Sequence, residues 1–186
     1  MSEAESRNDV VALLKEQHQR IRAMFDAVGQ AVGEERQQRF DDLRRLLAVH
    51  ETAEEMVVHP RARLGEGGND VVDARLAEEH SAKELLADLD RMKAGDAGFD
   101  AKLGRLRSSV IAHADNEEAE EFPLLEAETD EKTRATMAAA VRAAEAFAPT
   151  HPHPGVESAT ANLVAGPIAS VVDRTRDAVR SVLGRG

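Results

Sequence analysis

The sequence contains no cysteine, tryptophan or tyrosine, and its 186 residues include only five phenylalanines. Without cysteine the chain cannot form disulfides or a thiolate metal site, so a metal site would have to use histidine and carboxylates. The lack of disulfide chemistry also fits a reducing cytoplasm. The composition is rich in alanine, leucine, glutamate and arginine, which is typical of an all-helical protein.

Long apolar runs and an excess of positive charge are also missing. No stretch approaches the roughly 18 apolar residues of a transmembrane span. The opening residues MSEAESRNDV lack the basic and apolar regions of a signal peptide. A net charge of −11 argues against nucleic acid as a partner. We therefore expect an acidic cytoplasmic protein with one core.

Apolar spacing and breaks predict four helices in an up-down-up-down bundle. Short connections between successive helices favour antiparallel neighbours. Asn8 or Asp9 can cap the first helix, and glycine-rich breaks such as RLGEGGND separate later ones. The predicted helices run from the cap to about 28, from about 34 to 60, from about 70 to 93 and from about 100 to 126.

Two further helices are predicted beyond the bundle. We divide the chain into a bundle over 1–128, an accessory helix packed on it over 129–148, a proline-rich linker over 149–165 and an amphipathic helix over 166–186. The accessory helix has an apolar side of Met137, Val141, Ala144 and Phe147. The last helix is expected to pack on the bundle, on another subunit or on a protein partner. Membrane binding is disfavoured because its apolar face is thin and lacks aromatics.

Two polar residues interrupt the apolar stripe of the second helix. Phe40, Leu43 and Leu47 form the stripe, which then passes through His50 and Glu54. Burying an unpaired glutamate costs several kcal/mol. A metal ion is the expected compensation.

The same pattern recurs 63 residues later, where His113 and Glu117 occupy the corresponding positions of the fourth helix. The first and third helices match more loosely at an offset of 62, which pairs His18 with His80. Residues four apart share one helix face. The repeat therefore predicts a pseudo-two-fold bundle, in which six ligands converge: His18, His50, Glu54, His80, His113 and Glu117.

Four imidazoles and two carboxylates are too many for one tetrahedral ion but suit two ions bridged by carboxylates. This donor set favours iron, manganese or zinc. Alternative motifs do not fit: no histidine of the helical region follows the Glu-x-x-His spacing of ferritin-like bundles. HETAE places Glu54 where a zinc protease would need its second histidine.

Neighbouring polar residues receive more open interpretations. Glu51 either ligates as a bridge or faces solvent. Glu55 and Glu118 are candidates to orient imidazoles, or plain surface charge. His59 lies off the stripe and is interpreted as a helix-end residue, and the acidic run from Glu118 to Glu121 as a solvated face. His151 and His153 in the linker are expected to be exposed.

Four segments together resemble the hemerythrin-like, or HHE cation-binding, domain of bacteria. They are LLKEQH, HETAEEMVVHP, AEEH and HADNEEAEEFP, within about residues 9–126. The resemblance implies a four-helix bundle with a non-haem di-iron centre held by the six residues above. Glu51 matches the His-Glu-x-x-Glu form of a subgroup with an extra carboxylate. Unlike the invertebrate oxygen carriers, the third helix has Leu76, not histidine, four residues before His80, and no tyrosine can ligate.

These features predict a di-iron protein that binds or reacts with O2, peroxide or NO in sensing or stress defence. Two alternatives stay open. One is an iron-binding or buffering module without turnover. The other is an interaction protein in which the metal only staples the bundle and the C-terminal helix recruits a partner.

Overall fold

The structure, a computed structural model, describes residues 8–147 and 167–184, and their side chains apart from those of residues 147 and 167–170. All regular structure in these two ranges is helical. In chain order the helices are α1 (Val10–Gln30), α2 (Gly33–Val57), α3 (His59–Ala62), α4 (Gly68–Asp90), α5 (Phe99–Asn116), a π turn (Glu117–Glu121), α6 (Phe122–Glu128), α7 (Glu131–Phe147) and α8 (Pro167–Leu183).

Local sequence explains where these helices begin. The Asp9 carboxylate caps α1, since its Oδ1 accepts hydrogen bonds from the backbone N–H groups of Val11 (2.9 Å) and Ala12 (3.3 Å). Gly67 and Gly98 precede α4 and α5 with φ of 75° and 88°. Only glycine adopts this left-handed conformation without strain, so each one allows a sharp turn into the next helix.

A proline interrupts each copy of the repeated helix. Pro60 and Pro123 cannot donate a backbone hydrogen bond, and the helical pattern changes just before each of them. In the first copy α2 ends at Val57 and the short α3 follows. In the second copy the backbone widens into the π turn, where the Phe122 N–H bonds to the Glu117 carbonyl. The fourth predicted helix is therefore divided into α5, the π turn and α6.

Helix α2 lies at the centre of the molecule. Every residue from Leu46 to Glu54 is buried, whereas a helix on a bundle surface buries only one stripe. One side of α2 faces the other bundle helices, and the other side is covered by α7 and α8. This position makes α2 the element that connects the bundle to the C-terminal helices.

Two apolar clusters fill the core. The first joins the start of α1 and the end of α2 to α7 and α8, and it includes Phe122 and Leu125. The second joins the rest of α1 and α2 to α4 and α5 and contains Phe25, Phe40 and Phe99. On α1, Leu14 belongs to the first cluster and Ile21 to the second. His18 lies between them, so a polar layer separates the two clusters.

The C-terminal helices bury their apolar sides against α2. Met137, Val141 and Ala144 of α7 are buried, as are Val171 and Val179 of α8. The predicted linker, with His151 and His153, lies outside the described residues, as do the side chains of Phe147 and Ile168. Among the helices of the described ranges, none is long and apolar enough to cross a membrane. The all-α bundle with additional C-terminal helices is confirmed.

Candidate metal centre

Five buried side chains meet in the polar layer between the two apolar clusters. They are supplied by α1, α2, α5 and the π turn, and we call them the metal cluster: His18, His50, Glu54, His113 and Glu117. One ligand-type atom from each of His18, His50, Glu54 and Glu117 lies within 4.8 Å of the others. The two copies of His-x-x-x-Glu are thus brought together, as the repeat predicts.

The distances between these atoms match those between donors that share an ion. His50 Nε2 lies 3.2 Å from Glu54 Oε1, and His18 Nε2 lies 3.2 Å from Glu117 Oε2. Donors held about 2.0–2.2 Å from one ion lie roughly 3–3.5 Å from each other. The cluster is therefore spaced for coordination as it stands.

The inward-facing atoms of the cluster have no hydrogen-bond partners among the described residues. This holds for Nε2 of all three histidines and for both carboxylate oxygens of Glu54 and of Glu117. Each unsatisfied buried polar group costs about 1–3 kcal/mol, and more if it is charged. Metal binding would supply partners for these atoms, so the residues present fit a metal site.

The outward-facing nitrogens are all occupied. Nδ1 of His18 donates to Glu118 (2.9 Å), Nδ1 of His50 to the Gln17 carbonyl oxygen (2.6 Å) and Nδ1 of His113 to Glu78 (3.0 Å). Because these oxygens only accept, Nδ1 carries the proton and the Nε2 lone pair points into the cluster. This tautomer is the one a metal-binding imidazole needs.

The electrostatics of the cluster also favour a cation. Burial raises the pKa of Glu54 well above its ordinary range, and the nearby Glu117 raises it further. Burial likewise lowers the pKa of His50, and His18 and His113 lower it further. Positive charge at the centre would stabilise both carboxylates and pair with neutral imidazoles.

Glu117 faces histidines on two sides. Its Oε2 lies 3.2 Å from His18 Nε2, and its Oε1 lies 3.4 Å from His113 Nε2. Each oxygen of this carboxylate thus lies beside a different imidazole.

Comparison with known proteins agrees with this geometry. Residues 9–125 match the profile of the hemerythrin HHE cation-binding domain. The chain belongs to the hemerythrin HHE family. A hemerythrin-like protein of Schizosaccharomyces pombe, itself uncharacterized, is 34% identical over 134 residues, which cover 70% of this chain and 66% of the relative. The chain thus spans just under two thirds of that relative's length.

The fold also matches a solved structure. A hemerythrin HHE cation-binding domain-containing protein from Mycobacterium kansasii superposes with a TM-score of 0.68 at 23% identity. The match covers 89% of this chain and 98% of the other. At this identity the likeness establishes the fold alone. The family resemblance deduced from the four sequence segments is confirmed.

One residue of the predicted set does not reach the centre of this HHE domain. The His80 side chain is 76% exposed and lies 3.6 Å from Glu84 on the surface of α4. The prediction that places His80 in the site is therefore wrong for this structure. The inward positions of α4 are Val72, Arg75, Glu79, Ala82 and Leu86, which leaves His80 pointing outward.

His59 stands at a helix end, as the sequence interpretation has it, but it is buried there, which that interpretation did not include. Its Nδ1 and Nε2 donate to Glu121 and Glu79, both at 2.7 Å. We call these three residues the ion-paired cluster. Despite burial, the two carboxylates raise the pKa of His59 to about 10. Glu121, expected on a solvated face, is fully buried here.

Of the two residues predicted as candidates to orient an imidazole, Glu118 does so through its hydrogen bond with His18. Glu55 makes no such contact within the described ranges. Glu55 instead accepts from Lys83 (2.6 Å). Glu51 is buried, 3.6 Å from Lys83, and burial raises its pKa to about 8. It lies outside the group of four clustered ligand atoms. Gln17 and Glu78 also hydrogen-bond to imidazoles, but the sequence analysis did not identify them. Neither is three or four residues from a histidine on its own helix, so helical spacing does not reveal them.

A small cavity adjoins the metal cluster in this HHE domain, with a volume of about 10 Å³. The three cluster histidines and Glu51 form part of its wall. Most of the remaining lining is apolar: Ile21, Leu47, Ala82, Val110, Ile111 and Ala114. Its volume approaches that needed to hold one water-sized molecule, roughly 10–15 Å³.

Proposed function

We propose that this chain is a non-haem di-iron protein that binds or reacts with O2, peroxide or NO. The carrying observation is the orientation of three imidazoles, His18, His50 and His113. Each donates its Nδ1 proton to a neighbouring oxygen and presents, to two buried carboxylates, an Nε2 that has no hydrogen-bond partner among the described residues. Cation binding is a property of the family, and the identity and number of the ions are our proposal.

The donor set supports two ions of the iron type. Three imidazoles and two carboxylates favour iron, manganese or zinc over calcium. Glu117 meets His18 with one oxygen and His113 with the other, and Glu54 has both oxygens free of hydrogen bonds. These carboxylates would bridge the two ions. Five protein ligands leave positions open on such a pair.

A pair of iron ions would supply open positions and a change of oxidation state for chemistry with a small ligand. The protein's own contribution would be to hold the imidazoles in one tautomer and to limit access. The cavity beside His18, His50 and His113 has a volume close to that of one water-sized molecule. An extended organic substrate does not fit there, which supports a diatomic ligand or peroxide.

Metal analysis of the full chain tests the metal assignment. Protein expressed in iron-replete medium should contain two irons per chain, and the variant His50→Ala should lose them. His80→Ala is the matched control, since that histidine is exposed, and it should keep both. Iron-free wild-type protein, or equal loss in both variants, would contradict the proposal.

Ligand addition then separates binding chemistry from simple storage. Near-ultraviolet absorption of the iron-loaded protein should change on addition of azide, NO or O2. An unchanged spectrum and no consumption of peroxide would favour the alternative of an iron-buffering module. No observation in the described residues favours partner recruitment through α8, since its apolar side includes Val171 and Val179, which are buried within the chain.

A further inference from the structure

Helix α4 supplies no side chain to the metal cluster within the described residues, yet it contacts the cluster through a carboxylate. Glu78 Oε2 accepts the Nδ1 proton of His113 at 3.0 Å. The other two cluster histidines have partners on different elements, Gln17 on α1 and Glu118 in the π turn. The orientation of His113 therefore depends on where α4 holds Glu78.

Three donors hold Glu78 in place. Besides His113, it accepts from Asn116 Nδ2 at 2.9 Å and from Arg75 Nη2 at 2.9 Å. The Arg75 side chain is only 4% exposed. A buried guanidinium is costly unless it is paired, and Arg75 lies three residues before Glu78 on the same helix, so its charge is directed at that carboxylate.

Arg75 has a second contact that leads to the same half of the centre. Its Nη1 lies 3.3 Å from Glu120 Oε2 in the π turn. The π turn begins with Glu117, a fully buried member of the metal cluster. Wide turns of this kind are rare in helices and frequent at functional sites. One guanidinium thus contacts the partner of His113 and the turn that carries Glu117.

We propose that Arg75 is a positioning residue for the α5 half of the metal centre. Through Glu78 it fixes the ring of His113, and through Glu120 it holds the π turn that presents Glu117. With His80 on the surface, this is the contribution of α4 to metal binding: it orients ligands and does not supply one. The inference rests on the proposed function, because it takes His113 and Glu117 as ligands.

Metal affinity of the full chain gives the first test, measured by competition of Fe²⁺ or Zn²⁺ with a chelator. Loss of a side chain that orients a ligand typically weakens metal binding about 10–100-fold, and we expect Arg75→Gln to fall in that range. Arg91→Gln is the matched control. Arg91, directly after α4, pairs with Asp88 three residues before it at 3.3 Å, and its side chain is 74% exposed.

Two milder variants keep the test valid if Arg75→Gln does not fold. Arg75→Lys retains the buried charge but not the two-pronged contact, so it should show an intermediate loss of affinity. Glu120→Gln changes a half-exposed side chain and removes only the contact to the π turn. It should weaken metal binding less than Arg75→Gln.

A selective spectroscopic change distinguishes positioning from general destabilisation. In zinc-loaded protein, the Nδ1 proton resonance of His113 should shift and exchange faster in Arg75→Lys and Arg75→Gln. The corresponding proton of His50 should stay unchanged, because Gln17 on α1 holds it, whereas His18 is held by Glu118 of the π turn and is therefore not used as a reference. Equal changes at His113 and His50, or wild-type affinity in both Arg75 variants, would overturn the inference. Failure of the wild type to bind metal would instead overturn the proposed function.

Discussion

Two buried histidine clusters lie close together in this molecule and differ in how their nitrogens are satisfied. In the metal cluster each ring uses one nitrogen as a donor, and its other nitrogen has no hydrogen-bond partner in the part of the chain that the structure describes. In the ion-paired cluster His59 donates from both nitrogens to Glu121 and Glu79. Depth of burial does not distinguish the two, since all four rings are buried.

The difference assigns each cluster a role. A ring with both nitrogens donating is an imidazolium and has no lone pair for a metal. A ring with one nitrogen fixed and the other unpartnered is prepared to ligate. Both nitrogens of His59 are thus satisfied within the protein, although Glu121 Oε2 has no hydrogen-bond partner among the described residues. The three rings of the metal cluster each need a cation for the second nitrogen.

The largest expected effect is the loss of metal from the metal cluster. In wild-type protein, metal at about 100 times its Kd should stabilise the fold by about 2.7 kcal/mol. His50→Ala should abolish this stabilisation because it removes a ligand from the central helix. Thermal unfolding with and without added Fe²⁺ or Zn²⁺ measures it. A metal-dependent rise in the melting temperature of His50→Ala would show that His50 is not a ligand.

Substitution of His59 should reverse the pattern, with lower stability and unchanged metal content. His59→Ala leaves Glu79 and Glu121 buried without their shared partner, and breaking a buried ion pair in this way costs about 3–5 kcal/mol. Denaturant unfolding and metal analysis on the same preparation check both statements. Loss of metal with little loss of stability would make His59 a ligand and remove the distinction between the clusters.

Alkaline pH should weaken the ion-paired cluster in wild-type protein. The folded pKa of His59 is raised from 6.5 to about 10, so its contribution is complete below pH 6.5 and declines as the pH rises towards 10. The stability difference between wild type and His59→Gln should therefore shrink between pH 7 and pH 10. Unfolding free energies of both proteins across that range test this, and a constant difference would contradict a charged His59.

The smallest effect is expected at His80, whose side chain contacts neither cluster. His80→Ala should change the free energy of unfolding by less than about 0.5 kcal/mol and leave metal stoichiometry intact. Denaturant unfolding and metal analysis measure these two quantities. Loss of metal in this variant would mean that His80 is a ligand. Helix α4 would then have to rotate so that His80 faces the metal cluster.

Helices α2 and α4 differ in how well helical periodicity predicts their buried polar residues. On α2, His50 and Glu54 follow directly from an apolar stripe, so the periodicity locates them. On α4, two steps of four residues lead from Val72 to His80. Over eight residues the side-chain direction turns about 80° beyond two full turns, so His80 no longer points to the same side as Val72. A step of seven leaves only about 20° and leads from Val72 to Glu79, the residue that is buried.

The ion-paired cluster could not be predicted from the sequence for a different reason. The side chain of His59 points inward because the helix breaks between Val57 and His59, and helical periodicity does not extend across a break. Its partners stand 20 and 62 residues further along the chain. Nothing local in the sequence links those positions, so only the packing of α3, α4 and the π turn reveals the cluster.

Nitrogen NMR of the histidine rings tests the central distinction most directly, with zinc-loaded protein as a diamagnetic substitute for iron. We predict coordinated Nε2 and protonated Nδ1 for His18, His50 and His113, and protons on both nitrogens of His59 at pH 7. Addition of zinc should shift the first three rings and leave His59 doubly protonated. A zinc-coordinated nitrogen on His59, or an uncoordinated Nε2 on any of the other three, would contradict the account.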